Sequence, residues 1–141
     1  MAELPMTYET AYEWGKTAKR GKLEISERST LEVGSPHDTD AYSPEHMLLA
    51  AAEVCLANTM LVMSERSGLA LAGYRSTAFG ELEFEKGAGY RFKRIVIKPR
   101  IEVAADAESL AGRLIDKAHR ACLIARSLAC PVDIEPVITQ P

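Results

Sequence analysis

Residues 43–68, SPEHMLLAAAEVCLANTMLVMSERSG, constrain the chain more than any other stretch. Ser43 suits an N-cap and Pro44 the first helical position, while Gly68 suits a C-terminal stop. The punctuation predicts one helix from Pro44 to Ser67, about 36 Å long at 1.5 Å per residue. Between Met47 and Met63 the strongly polar interruptions are Glu53, Asn58 and Thr59. A helix so nearly apolar all round belongs in a core, and the rest of the domain is expected to wrap it.

Cys55 lies near the middle of that helix, with Ala51, Ala52, Asn58 and Thr59 one turn away. The two alanines leave room for another element to approach the thiol. Most buried cysteines are inert small hydrophobes, so this position alone does not establish chemistry.

The chain has 141 residues, the usual size of one domain, and residues 1–141 are expected to form one. Its 17 basic and 20 acidic side chains form no one-sign block, which argues against nucleic acid or an anionic membrane as principal partner. MAELPMTYE at the start lacks a basic-then-apolar signal pattern. The helix is long enough to raise a membrane span, but Glu53, Asn58, Glu65 and Arg66 favour a soluble core helix. Three widely spaced cysteines are no secreted disulfide framework and fit a cytoplasmic protein.

Residues 6–34 read as short strands, with Leu23 and Ile25, then Leu31 and Val33, alternating with polar residues. Arg20-Gly21 and Arg28-Ser29 are the expected turns. The loop GSPHDTDA at 34–41 leads to the central helix, and its His37 and Asp38 read as solvated loop residues. After Gly68, residues 74–85 form a strand and KGAG at 86–89 a hairpin turn. On the return, apolar parity changes between Phe92 and Ile95, predicting a bulge at Lys93-Arg94, and Pro99 predicts an edge or a second irregularity. A second helix is expected after Asp106 as N-cap, with an apolar face of Leu110, Leu114, Ile115, Ala118, Ala121, Cys122 and Ala125. Val132 to Ile138 is the last strand, interrupted by Pro136. The fold class is α+β, in the order βββ-α-ββ-α-β, with antiparallel sheets around a long buried central helix.

The sequence has no CxxC or HxxxH pair for zinc, no phosphate loop and no serine elbow. What remains is Cys55 and Cys122, each on the apolar face of its helix. Here the sequence resembles the OsmC/Ohr superfamily of thiol peroxidases, the osmotically induced and organic hydroperoxide resistance proteins. That family carries Asn-Pro-Glu, then an alanine-rich helix with a reactive cysteine ten residues after the glutamate; Ser43-Pro44-Glu45 precedes Cys55 by that interval. Its second cysteine falls near the end of a second helix before the final strand, as Cys122 does. Lys19-Arg20-Gly21-Lys22 is similar to the family's basic turn, which supplies an active-site arginine. The resemblance covers nearly the whole chain. It departs at Ser43, where the family has asparagine, and at Leu123, where it has proline; Cys-Pro-Val occurs instead at Cys130-Pro131-Val132, with Cys130 read as structural.

The resemblance implies a thiol-dependent peroxidase that needs no cofactor or metal. Cys55 would reduce a hydroperoxide to the alcohol and become a sulfenic acid, which Cys122 would capture as a disulfide for an external dithiol to reduce. A desolvated thiolate needs a neighbouring cation, and Arg20 takes that role, with Glu45 gripping its guanidinium in a bidentate pair. Arg28 is the alternative cation. The apolar helix favours an organic hydroperoxide as substrate. Glu45 and Cys55 stand about 15 Å apart along a straight helix, so one small site needs Arg20 or a second subunit to bridge them. The family's intertwined homodimer would do so, and a homodimer is expected here. The competing reading keeps the fold but makes the protein a redox-inactive or redox-sensing binder of an apolar ligand.

Overall fold

The computed structural model describes residues 4–141, so the first three residues of the N-terminal segment lie outside the described residues. The chain divides into two compact units, Met1–Leu48 and Leu49–Pro141.

The first unit is a three-stranded antiparallel sheet in the order β1-β2-β3, formed by Thr10–Trp14, Gly21–Ile25 and Leu31–Val33. Its first connection is a six-residue loop, 15–20, rather than a tight turn at Arg20-Gly21. The loop is closed by the Gly15 N–H on the Arg20 carbonyl (2.9 Å) and by the Trp14 indole N–H on the Ala18 carbonyl (3.0 Å). Gly21 opens β2 beneath the Tyr12 ring, and a Cβ there would come 2.6 Å from the Glu13 carbonyl oxygen, so only glycine fits. After β3, Asp38 accepts the Ser35 N–H at 2.8 Å and ties the 34–41 loop into a turn. That bond holds the Asp38 carboxyl below the usual carboxylate range.

Helix α1 runs from Pro44 to Ser67, within the predicted bounds. Ser43 is buried, and its Oγ accepts the His46 N–H at 3.1 Å, as an N-cap should. At the other end Gly68 takes φ +70, and the Leu69 N–H reaches back to the Ser64 carbonyl at 2.9 Å, closing the helix with a left-handed residue. The all-round burial expected of α1 does not hold within the chain. Its buried residues, Ala52, Leu56, Met60 and Ser64, form one stripe at four-residue spacing, whereas Val54 is 56% and Leu61 49% exposed. The helix is long and apolar enough to cross a membrane by composition, but that stripe closes a protein core.

In the second unit, β4 (Gly73–Glu85) and β5 (Gly89–Glu102) form a long antiparallel hairpin turned at residues 86–88, where Gly87 and then Gly89 adopt positive φ. The pairing passes from Glu81↔Arg94 to Leu82↔Phe92, leaving Lys93 bulged where the parity change predicted it. A 3-10 turn over Ala105–Ala107 precedes α2 (Glu108–Ala121), so Asp106 lies inside that turn and Ala107, which offers no side-chain cap, occupies the N-cap. The buried face of α2 is Ala111, Leu114, Ile115 and Ala118, with Ala121 exposed. A short third helix, α3 (Leu123–Ser127), follows.

The final segment is two strands, β6 (Val132–Ile134) and β7 (Val137–Thr139), separated at Glu135-Pro136. Both pair parallel to β5, so this sheet is mixed. β5 is therefore central, and Pro99 marks the gap between its β6 pairing at 95–97 and its β7 pairing at 100–102. A residue without an N–H is tolerated where the ladder already changes partner. The core of this unit joins Ala52, Leu56 and Met60 of α1 to Ile95, Ile97 and Ile101 of β5 and to Ala111, Ile115 and Ala118 of α2.

Candidate functional site

The two cysteines singled out by the sequence meet inside the second unit. Cys55 is half-buried on α1, beside the buried stripe, and Cys122 is 1% exposed. Cys122 does not continue α2. It is the extended residue (φ −64, ψ 115) between α2 and α3, held by its N–H on the His119 carbonyl at 3.2 Å. This break turns the Cys122 side chain into the core against which Cys55 also packs, near enough for Cys55 to push the Cys122 thiol up. Both thiols are free.

Burial pushes the Cys122 thiol up from its ordinary value. The Ala125 N–H, and more weakly the Ile124 N–H, point at the sulfur and pull the other way, while Cys55 adds to the rise. The pair is thus unequal in burial: Cys55 is partly exposed and Cys122 is enclosed.

Arg20 and Glu45 belong to the first unit. Arg20 ends the 15–20 loop, and its guanidinium pairs with Asp40 at 3.0 Å and Glu32 at 3.6 Å. Among the described residues these are its ion partners, and the expected bidentate grip by Glu45 is not formed. The loop brings Arg20 beside β3, where Glu32 is within 3.6 Å of its guanidinium. Its Nε is buried without a hydrogen-bond partner. Glu45 is half-buried in the first turn of α1, where a carboxylate favours the positive end of the helix dipole. Arg28, the alternative cation, turns its guanidinium onto the Ser26 carbonyl at 2.9 Å. Cys130 is half-buried and packs against the core of the second unit.

Sequence reasoning passed over Glu53, Tyr74 and Ser76. The Ser76 hydroxyl donates to Glu53 Oε2 at 2.6 Å, and the Tyr74 hydroxyl is buried with no partner. Glu53, an acid in an apolar helix, was the available signal; its partners lie on β4 and only the fold supplies them.

The frame is α+β, with one free thiol on the long central helix and another at a helix break, both in the core of the second unit. The chain belongs to the OsmC family: the family model described as OsmC-like protein matches residues 36–137. It is 30% identical over 123 residues to the uncharacterized protein YmaD of Bacillus subtilis (strain 168), covering 84% of this chain and 80% of that one. Solved structures share the fold. An OsmC-like protein of unknown function from Vibrio cholerae aligns with a TM-score of 0.82 at 18% identity, over 97% of this chain and all of that one. A Legionella pneumophila organic hydroperoxide resistance protein OsmC aligns with a TM-score of 0.77 at 17% identity, over 97% of this chain and 99% of its own. An organic hydroperoxide resistance protein of Elizabethkingia anophelis gives 0.77 at 15%, over 99% of this chain and 100% of its own.

Proposed function

We propose that the protein is a thiol-dependent peroxidase that reduces organic hydroperoxides to alcohols. The observation that carries this reading is a half-buried Cys55 packed against the same core that encloses Cys122. The Cys55 thiolate attacks one oxygen of the O–O bond; an S–O bond forms, the O–O bond breaks, and the alkoxide takes a proton to leave as the alcohol. Cys55 is left as a sulfenic acid. Cys122 then attacks that sulfur: the S–S bond forms, the S–O bond breaks, and the departing hydroxide takes the Cys122 proton and leaves as water. An external dithiol restores both thiols by exchange. Cys122 needs no access to solvent for its step, whereas Cys55 does, and their exposures divide in that sense.

Arg20, whose guanidinium pairs with Asp40 and Glu32, is assigned the cation that favours the Cys55 thiolate, and Glu45 the supporting carboxylate. Relatives of the same fold that are named organic hydroperoxide resistance proteins support an organic substrate. The functional form is a homodimer, working in the cytoplasm on a small apolar hydroperoxide without a cofactor. Support for the dimer comes from the apolar side chains left outside the second unit, Val54 and Leu61 on α1 and Phe84 and Tyr90 on the hairpin. Dithiothreitol-dependent consumption of cumene hydroperoxide tests the reading. The native chain should turn over, Cys55→Ser should be inactive, and Cys122→Ser should consume peroxide without forming an internal disulfide. A folded native chain that consumes none refutes it.

A further inference from the structure

A group of polar side chains from α1 and β4 lies against the apolar core of the second unit. Glu53 on α1 is fixed by the Ser76 hydroxyl at 2.6 Å, which occupies one carboxylate oxygen. Tyr74 stands two residues before Ser76 on β4, so both side chains project from the same face of the strand. The Tyr74 hydroxyl is enclosed and makes no hydrogen bond in the reduced protein. Burial first, then the neighbouring Glu53 carboxylate and the Cys122 sulfur, push its pKa up to about 12. It therefore stays a neutral O–H donor throughout the range in which thiols ionise.

An enclosed donor without an acceptor is costly to keep, and a redox or catalytic role is one reason for keeping it. Tyr74 of β4 and Cys55 of α1 both pack against the core cluster that contains Cys122, and the Ile124 and Ala125 N–H groups of α3 point at its sulfur. Among them Tyr74 is the side-chain O–H without an acceptor. Cys122 must become a thiolate to attack the Cys55 sulfenic acid, and a buried thiolate is stabilised by donors directed at it.

We propose that Tyr74 is a positioning residue for the resolving step: its enclosed, unpartnered hydroxyl donates to the Cys122 sulfur as negative charge forms there. This rests on the reading that Cys122 captures the Cys55 sulfenic acid. The proton Cys122 gives up ends on the hydroxide leaving Cys55, so the step yields one disulfide and one water, the oxidising equivalent coming from the organic hydroperoxide.

Tyr74→Phe in the full chain keeps the ring and removes the donor. Rapid-quench mass analysis with cumene hydroperoxide should show Cys55 oxidised at the native rate, the Cys55–Cys122 disulfide forming about tenfold more slowly near neutral pH, and more Cys55 overoxidised. The tenfold factor is one pKa unit at Cys122. In a Cys55→Ser, Cys130→Ser background, the pH midpoint of the Cys122 13Cβ shift should rise by about one unit on adding Tyr74→Phe. Equal midpoints with and without the hydroxyl overturn the proposal, as does an unchanged disulfide rate. If native Cys55 ignores the peroxide, the peroxidase reading fails, while the midpoint still decides whether Tyr74 donates to Cys122.

Discussion

Leu56→Ala tests how α1 is held. Leu56 is fully buried in the stripe that faces β5 and α2, one residue after Cys55, whereas Leu61 on the same helix is 49% exposed. Removing three carbon atoms from Leu56 forfeits roughly 2–3 kcal/mol of transfer free energy. The cavity left against Ile95, Ile97 and Ile115 raises the expected cost to about 3–4 kcal/mol, within the range seen for buried leucines. With a urea m-value of about 2 kcal/mol/M, the midpoint should fall by about 1.5–2 M with the slope unchanged. Urea unfolding followed by far-UV circular dichroism measures this directly, and Leu56→Met should recover most of the loss because it restores volume. The disulfide rate should fall too, since Leu56 fixes the rotation of the helix that presents Cys55 to Cys122. A loss below about 1 kcal/mol would mean that α1 is not seated through the Ala52–Leu56–Met60 stripe, and the placing of Cys55 against the core around Cys122 would lose its structural basis.

Other outcomes follow from the same geometry. Ser43→Ala removes the buried cap of α1 and leaves the His46 N–H unpaired, so it should cost about 1 kcal/mol, a fall of about 3–5 °C in Tm by calorimetry. Because burial raises the Cys122 thiol, the rate of disulfide formation from oxidised Cys55 should keep climbing with pH beyond the ordinary thiol value of about 8.5, as stopped-flow measurements can show. The sign for stability is opposite: the folded chain holds the Cys122 proton where the unfolded chain has released it, so stability should decline as pH rises above that value. Leu61→Glu places a charge on the exposed apolar face of α1 and should convert a homodimer to a monomer in sedimentation equilibrium at micromolar concentration; a native chain that sediments as one copy contradicts the dimer.

The parts of the fold set by local chemistry were legible. Ser43, Pro44 and Gly68 bounded α1 because capping and left-handed geometry act within a few residues, and the shift from Phe92 to Ile95 located the Lys93 bulge because parity is a local record of which face is buried. Pairings between distant segments were not legible. The expected antiparallel character did not reveal that β6 and β7 run parallel to β5, since nothing local states strand direction. Cys122 read as part of a continuous helical face, because Ala121, Leu123 and Ala125 carry no breaking residue; the break is imposed by packing. The candidate site divides the same way. The two thiols were found from motif spacing, but the pairing of Arg20 with Asp40 and Glu32 depends on how a six-residue loop folds against β3. The Glu53–Ser76–Tyr74 group joins residues more than twenty apart, so no sequence window contains it.

The central claim is that a hydroperoxide oxidises Cys55 and that Cys122 traps the product. Reduced protein treated with one equivalent of cumene hydroperoxide, beside hydrogen peroxide, then quenched, digested and mapped by mass spectrometry, tests it most directly. The expected product shows a mass loss of about two hydrogens, one Cys55–Cys122 linkage with Cys130 still free, and faster formation with the organic peroxide. Intact folded protein with Cys55 still reduced after exposure to either peroxide would contradict it.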